Sequence, residues 1–228
     1  MYKLAIFDFD GTLVDSAPGI VDVMRIVVEE YKLPHTILDE WKNLVGVPLM
    51  RQCEIIFPDK NEEYWLEIAT RYRAIYDTQA IEICPLFPSL IDMLERLKLE
   101  KIKITIASSK RRYLISAVLD HHNLSHYFDL IVGAQDVANH KPHPESVFKT
   151  LEKLNVAAED AVVVGDATYD LDMARGAGVD AIGVTTGIHT AEVLAKSEPK
   201  HIVSGLHEVL PIILNGRMNP ANGQARKG

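Results

Sequence analysis

The chain has 228 residues, 47% of them apolar, enough for one large domain or for a core domain carrying a smaller insertion. Its net charge of −8 argues against the cationic face of a nucleic-acid binder but leaves room for a small anionic substrate, because local charge outweighs the total at a small site. No apolar stretch reaches the ~18 residues of a membrane span.

MYKLAIFDFDG enters a strand-like pattern at once, without a basic n-region, and Cys53 and Cys84 form neither a CxxC pair nor a disulfide framework. A reduced, cytoplasmic setting is expected. LAIFDF, residues 4–9, reads as a buried strand. SAPGIVDVMRIVVEEY reads as a helix with Pro18 near its start, where a missing N–H costs little. TILD, 36–39, has the T-x-x-D form of a capping box leading into EWKNLV, and PLMRQCEIIF and NEEYWLEIATRYRAIYDTQ continue the helical pattern. Residues 16–82 are therefore expected to form an all-α insertion.

Alternation follows. FPSLIDMLERLKLE carries Leu90, Ile91, Leu94 and Leu97 on one helical face. After it come strand IKITIA, helix RRYLISAVLDHH, strand DLIVGA, helix PESVFKTLEKLN, strand AVVVGD, helix YDLDMARGAG, strand DAIGVTT and helix TAEVLAKS. Short strands with consecutive apolar residues are covered on both faces, and βαβα order implies a parallel sheet with right-handed crossovers. The predicted fold class is α/β: a doubly wound parallel sheet over 1–15 and 83–215, with an all-α unit inserted after the first strand. Residues 216–228 lack apolar periodicity and are expected to fray.

Ligands of such sheets gather at the carboxyl ends of the strands. There the sequence places Asp8, Asp10 and Gly11, then Ser108, Ser109 and Lys110, then His140 and Lys141, and finally Asp166, with Asp170 one turn on. Asp8 and Asp10, two apart on a strand, point to the same side, and two like charges there would raise a pKa unless a cation intervened. A hard divalent cation such as Mg²⁺ suits oxygen ligands.

Taken singly, each residue has a plainer reading: Asp166 or Ser108 as a helix cap, Lys141 as a solvated lysine. Jointly those readings weaken. His121, His122 and His126 lack the spacing of a zinc site, and His143 and His189 read as loop residues. Tyr64, Trp65, Tyr72 and Tyr76 recur near helical spacing and are expected to pack the insertion. Lys42, Arg51, Arg71 and Arg73 could face a substrate carboxylate or a second phosphate, but solvated helix faces are the better reading. No GxxxxGK[ST] occurs, which excludes a P-loop NTPase.

The segments Asp8-Phe9-Asp10-Gly11-Thr12, Ser108, Lys141-Pro142 and Gly165-Asp166-Ala167-Thr168-Tyr169-Asp170 resemble the four motifs of the haloacid dehalogenase-like hydrolase superfamily, over roughly residues 4 to 190. The helical insertion resembles the cap of its phosphoglycolate phosphatase-like and β-phosphoglucomutase-like branches, and Gly46-Val47-Pro48-Leu49 resembles a G-x-P-L loop found among those phosphatases. The resemblance implies that Asp8 is a nucleophile forming an aspartyl-phosphate and that Asp10 is a general acid/base. It implies Mg²⁺ held by Asp8, the Asp10 carbonyl and Asp166, with Asp170 an outer or shared ligand. Ser108 and Lys141 would hold the phosphoryl oxygens, backbone N–H groups around Gly11 and Ser109 would form an anion nest, and Gly46 would contact substrate. Ser108-Ser109-Lys110 departs from the Thr-Asn-Lys of many relatives, Ala167 from Ser, and His140 from Gly.

The implied activity is Mg²⁺-dependent hydrolysis of a small phosphomonoester, phosphoglycolate first. Alternatives are a sugar-phosphate mutase and an inorganic pyrophosphatase or nucleotidase; from another class comes a phospho-accepting switch or a binding protein. The expected partner is a small phosphorylated metabolite, with no nucleic acid and no membrane, and the chain is expected to be a monomer or homodimer.

Overall fold

Leu4–Phe7 is the apolar run that opens the chain, and every residue in it is buried as strand β1 of a computed structural model that describes residues 1–216. Apart from Gly216, the tail expected to fray lies outside the described residues.

Helices α1 (Ala17–Glu30), α2 (Thr36–Lys42), α3 (Leu49–Ile56) and α4 (Glu62–Gln79) follow, then α5 (Leu90–Leu99). Strand β2 (Lys103–Ala107), α6 (Arg112–His121), β3 (Leu130–Val132), α7 (Glu145–Leu154) and β4 (Ala161–Gly165) come next. The series closes with α8 (Thr168–Gly176), β5 (Asp180–Val184), α9 (Ala191–Leu194), β6 (His201–Val203) and α10 (Leu206–Asn215).

Among the described residues, six strands form one parallel sheet in the order β3-β2-β1-β4-β5-β6. Successive side chains alternate between its faces. Ala5 and Phe7 of β1, with Val162 and Val164 of β4, enter one apolar cluster; Leu4, Ile6, Ala161 and Val163 enter the cluster on the other face. Both faces are therefore covered, as the doubly wound reading requires. The chain leaves β1 for β2 on one side and later returns to β4 on the other, so the switch point lies between β1 and β4. Register aligns their carboxyl ends, pairing Phe7 with Val164 and with Ile106 of β2.

Among the described residues no strand longer than an isolated bridge lies between Phe7 and Lys103, in keeping with the expected all-α run. Val23, Met24 and Val27 of α1, Trp41, Cys53, Ile68, Tyr72 and Tyr76 build a third cluster, which Leu114 of α6 joins from the sheet side. The chain enters and leaves this helical unit through adjacent segments: Asp15 N–H donates to Pro85 O at 2.8 Å and Phe87 N–H to Leu13 O at 3.1 Å. Asn61 caps α4, accepting from Tyr64 N–H at 3.1 Å, and Glu62 and Glu63 sit in its first turn. Both cysteines are buried free thiols, and no helix among the described residues is long and apolar enough to cross a membrane.

Two expectations need correction. Thr36 does not cap α2: it already lies in the helix, because Ile37 and Leu38 donate to the carbonyls of Pro34 and His35, and Asp39 pairs with Lys42. The helix also stops at Lys42 rather than running through EWKNLV. The sheet, in turn, does not end at β5. Strand β6 is too short to show a period, and Pro211 interrupts the pattern of α10.

Gln52 is buried where the helices meet, accepting from Trp41 Nε1 at 2.7 Å and donating to Val47 O at 2.7 Å. Gln52→Leu strands both groups, so we expect a loss of about 1–3 kcal/mol in urea unfolding. A loss below about 0.5 kcal/mol, the range of ordinary surface substitutions, would show that these bonds carry no stability.

Candidate active site

Asp8 directly follows β1, and its N–H still pairs with Val164 O at 2.9 Å, so the edge of the sheet fixes its backbone. Asp166 directly follows β4, and Asp170 stands in the first turn of α8. These three carboxylates are buried, and one oxygen from each lies within 4.8 Å of the others. Lys141 reaches into the group from the loop before α7, its Nζ at 2.6 Å from Asp8 Oδ1 and 2.5 Å from Asp170 Oδ1. Thr12 Oγ1 donates to Asp166 Oδ1 at 2.8 Å, and Ala167 N–H to Asp170 Oδ2 at 3.1 Å.

Two glycines make room for Asp166. A Cβ on Gly11 would stand 2.5 Å from Asp166 Oδ2, and one on Gly187 only 1.8 Å away. Gly11 also has φ +78°, in the left-handed region that favours glycine. Its own N–H does not face an anion, contrary to the expected nest, because it donates to Val14 O at 2.8 Å.

Three carboxylates against one ammonium leave surplus negative charge. Burial pushes Asp8 up to about 7; Lys141 opposes this, while Asp170 and Asp10 add to it. Burial also holds Asp166 well above the usual carboxylate range, reinforced by Asp170 and Asp8. Burial alone would lower Lys141, but Asp170 and Asp8 outweigh it and keep the ammonium charged. An all-oxygen donor set with unneutralised charge is what a hard divalent cation fits. Asp8, Asp166 and Asp170 could hold one.

The Asp10 carboxylate is not in this triad. It accepts from Lys110 Nζ at 2.7 and 3.1 Å, and that ammonium also bonds the Tyr76 hydroxyl and lies 4.4 Å above the Tyr76 ring. Ser108 is buried beside it and accepts from Lys110 N–H at 3.2 Å. Ser109 Oγ donates to Gly46 O at 2.9 Å, joining the end of β2 to the loop between α2 and α3. Above these residues lies a cleft of about 270 Å³, closed by Met24, Val47, Leu49 and Tyr72 of the helical unit. A carboxylate over Lys141, a second carboxylate over Lys110 and a buried hydroxyl thus share one small chamber, a set able to attack, protonate and hold an anionic group.

All the residues expected at the sheet edge are near this chamber, and two side chains without a role assigned from sequence take part in it. Lys110 stands at the expected edge, but a lysine after two serines resembles any solvated lysine, and its partners Asp10 and Tyr76 come from distant segments. Thr12 belongs to the same turn as Asp8 and Asp10 but had no assigned partner. His189 is a loop residue as expected; its Nδ1 accepts from Thr168 N–H at 3.1 Å at the start of α8, and burial lowers its pKa. Among the described residues, His121, His122 and His126 enter no group able to hold a metal.

The chain matches the family model described as haloacid dehalogenase-like hydrolase over residues 5–184. It is 37% identical over 213 residues to the "Probable phosphatase IndB" of Dickeya dadantii, covering 92% of this chain and 93% of that one. To the phosphoglycolate phosphatase of Aquifex aeolicus it is 34% identical over 176 residues, 77% of this chain and 81% of that one. The solved structure of a haloacid dehalogenase-like hydrolase from Bacteroides fragilis superposes with a TM-score of 0.87 at 32% identity, covering 92% of this chain and 100% of that one.

Because folding raises the Asp8 pKa, the metal-free chain holds its proton below about pH 7, and the stability this group contributes is lost as pH rises from 3.8 through 7. A divalent cation supplies the missing positive charge and competes with that proton. Thermal unfolding with and without Mg²⁺ should therefore show a larger Tm increment at pH 8 than at pH 6, reduced in Asp166→Asn. An equal increment at both pH values, or one untouched by the substitution, contradicts the assignment.

Proposed function

This chain belongs to the haloacid dehalogenase-like hydrolase family, and on that premise we propose that it is a Mg²⁺-dependent phosphatase of small phosphomonoesters that works through an aspartyl-phosphate at Asp8. The observation that carries the reading is the buried group of Asp8, Asp166 and Asp170 around Lys141, on the floor of a cleft of about 270 Å³. Phosphoglycolate is the first candidate substrate, since a relative at 34% identity bears that name and the cleft suits a small molecule. The helical unit, residues 16–82, acts in this reading as a cap over a core formed by 1–15 and 83–215, with Ser109 and Gly46 touching across the boundary.

The chemistry follows from the side chains. An Asp8 oxygen attacks phosphorus, and the ester P–O bond breaks with its electrons on the leaving oxygen. Asp10 gives that oxygen a proton, then takes one from the water that attacks the aspartyl-phosphate, releasing phosphate and restoring Asp8. Lys110 orients Asp10 through two bonds from one ammonium. Lys141 and Ser108 bind the phosphoryl oxygens, where preorganised donors act strongly because water is excluded. Mg²⁺, held by Asp8, Asp166 and the Asp10 carbonyl with Asp170 outside them, would neutralise charge on the phosphoryl group.

Asp8→Asn should lower kcat by about 10³-fold or more while circular dichroism stays native, because an amide does not attack phosphorus. Near wild-type turnover in that variant would remove Asp8 as the nucleophile. Asp10→Asn with p-nitrophenyl phosphate should release about one equivalent of nitrophenolate per chain and then stall, since this leaving group needs no proton but hydrolysis of the intermediate needs a base. Continued turnover at the wild-type rate would leave Asp10 without that role.

A further inference from the structure

Among the described residues, four lysine and arginine side chains line the cleft, and three of them are committed to carboxylates. Lys141 lies between Asp8 and Asp170, Lys110 bonds Asp10, and Arg111 bonds Asp77 at 2.8 and 2.9 Å. The fourth is Arg73 of α4, half-buried, for which no carboxylate among the described residues lies within ion-pairing distance. Asp77, one turn further along α4, is already taken by Arg111 and by the Tyr113 hydroxyl at 2.8 Å. The other helix cations singled out from sequence behave differently. Lys42, Arg51 and Arg71 pair with Asp39, Glu54 and Glu30 on exposed surfaces and do not line this cleft.

A guanidinium partly withdrawn from water and given no counter-ion is costly unless a ligand supplies one. Apolar neighbours in the cleft, Met24, Leu49 and Tyr72, strengthen its field by excluding water. Its planar fork matches a carboxylate, which it can hold through two parallel bonds. Lys141 and Ser108, whose side chains are buried in the same cleft, are in the proposed phosphatase reaction the groups that take the phosphoryl group. We propose that Arg73 binds the carboxylate of a substrate that carries both a phosphate and a carboxylate, and so selects small phospho-carboxylates over neutral phosphomonoesters. This rests on the phosphatase reading above.

The matched pair phosphoglycolate and 2-hydroxyethyl phosphate differs only in carboxylate against hydroxymethyl, which isolates the contact. The wild-type protein should favour phosphoglycolate in kcat/KM. In Arg73→Met that preference should fall about tenfold or more, chiefly through KM for phosphoglycolate, and Arg73→Lys should recover part of it. Equal loss on both substrates would mark Arg73 as merely structural and overturn the proposal, as would an unchanged preference. Equal wild-type kcat/KM on the two, with both activities abolished by Asp8→Asn, would refute the carboxylate contact while leaving the phosphatase standing. If the wild-type protein with Mg²⁺ hydrolyses neither compound nor p-nitrophenyl phosphate, the phosphatase reading itself fails, and this inference with it.

Discussion

Lys141 stands between Asp8 and Asp170, with Asp166 close by, so that three buried carboxylates surround a single ammonium. Breaking a buried pair exposes its surviving partner to an uncompensated desolvation cost, and here the acids outnumber the cation from the start. An arrangement of this kind is poor as a structural device, because an apolar core of equal volume would be at least as stable. In the function proposed above, its use lies in charge held ready for something that enters: a cation for the surplus negative charge, and a phosphoryl group for the lysine. Burial, reinforced by the neighbouring carboxylates, raises the pKa values of Asp8 and Asp166.

The fold produces this arrangement by topology. Asp8 and Asp166 come from β1 and β4, neighbours in the sheet although 158 positions separate them in the chain. Their strands are paired in register at the carboxyl end, so the spacing of the two acids is set by the hydrogen-bonded ladder rather than by flexible loops. Glycines at 11 and 187 then let backbone approach Asp166 where any side chain would collide. On the opposite side the helical unit closes the chamber, and Tyr76 of α4 meets Lys110 from the end of β2 at the ammonium that also holds Asp10. The orientation of Asp10 is thereby linked to the position of α4.

What could be seen in the sequence was what a linear pattern can carry. Apolar runs such as LAIF and AVVVG ended in acids, and βαβα order placed those ends on one edge, so the acids, Ser108 and Lys141 were legible before any coordinates. Contacts that depend on which way a helix is turned were not. Arg71 and Arg73 are two residues apart on α4, yet one pairs with Glu30 at the surface and the other lines the cleft. Lys110 differs from a solvated lysine only through Asp10 and Tyr76, which arrive from distant segments. Beyond β5 the signal was weak for local reasons, a three-residue strand and a proline within a helix. At Thr36 the T-x-x-D pattern caps nothing, since the carbonyls of Pro34 and His35 already start the helix before it.

The central claim is that one divalent cation belongs among these carboxylates, and anomalous diffraction from crystals grown with Mn²⁺ in place of Mg²⁺ tests it most directly. The account predicts one strong anomalous peak per chain, within coordination distance of carboxylate oxygens of both Asp8 and Asp166, and its absence from Asp166→Asn crystals. A filled Mn²⁺ site elsewhere, with Asp8 and Asp166 bound only to protein groups, would contradict it.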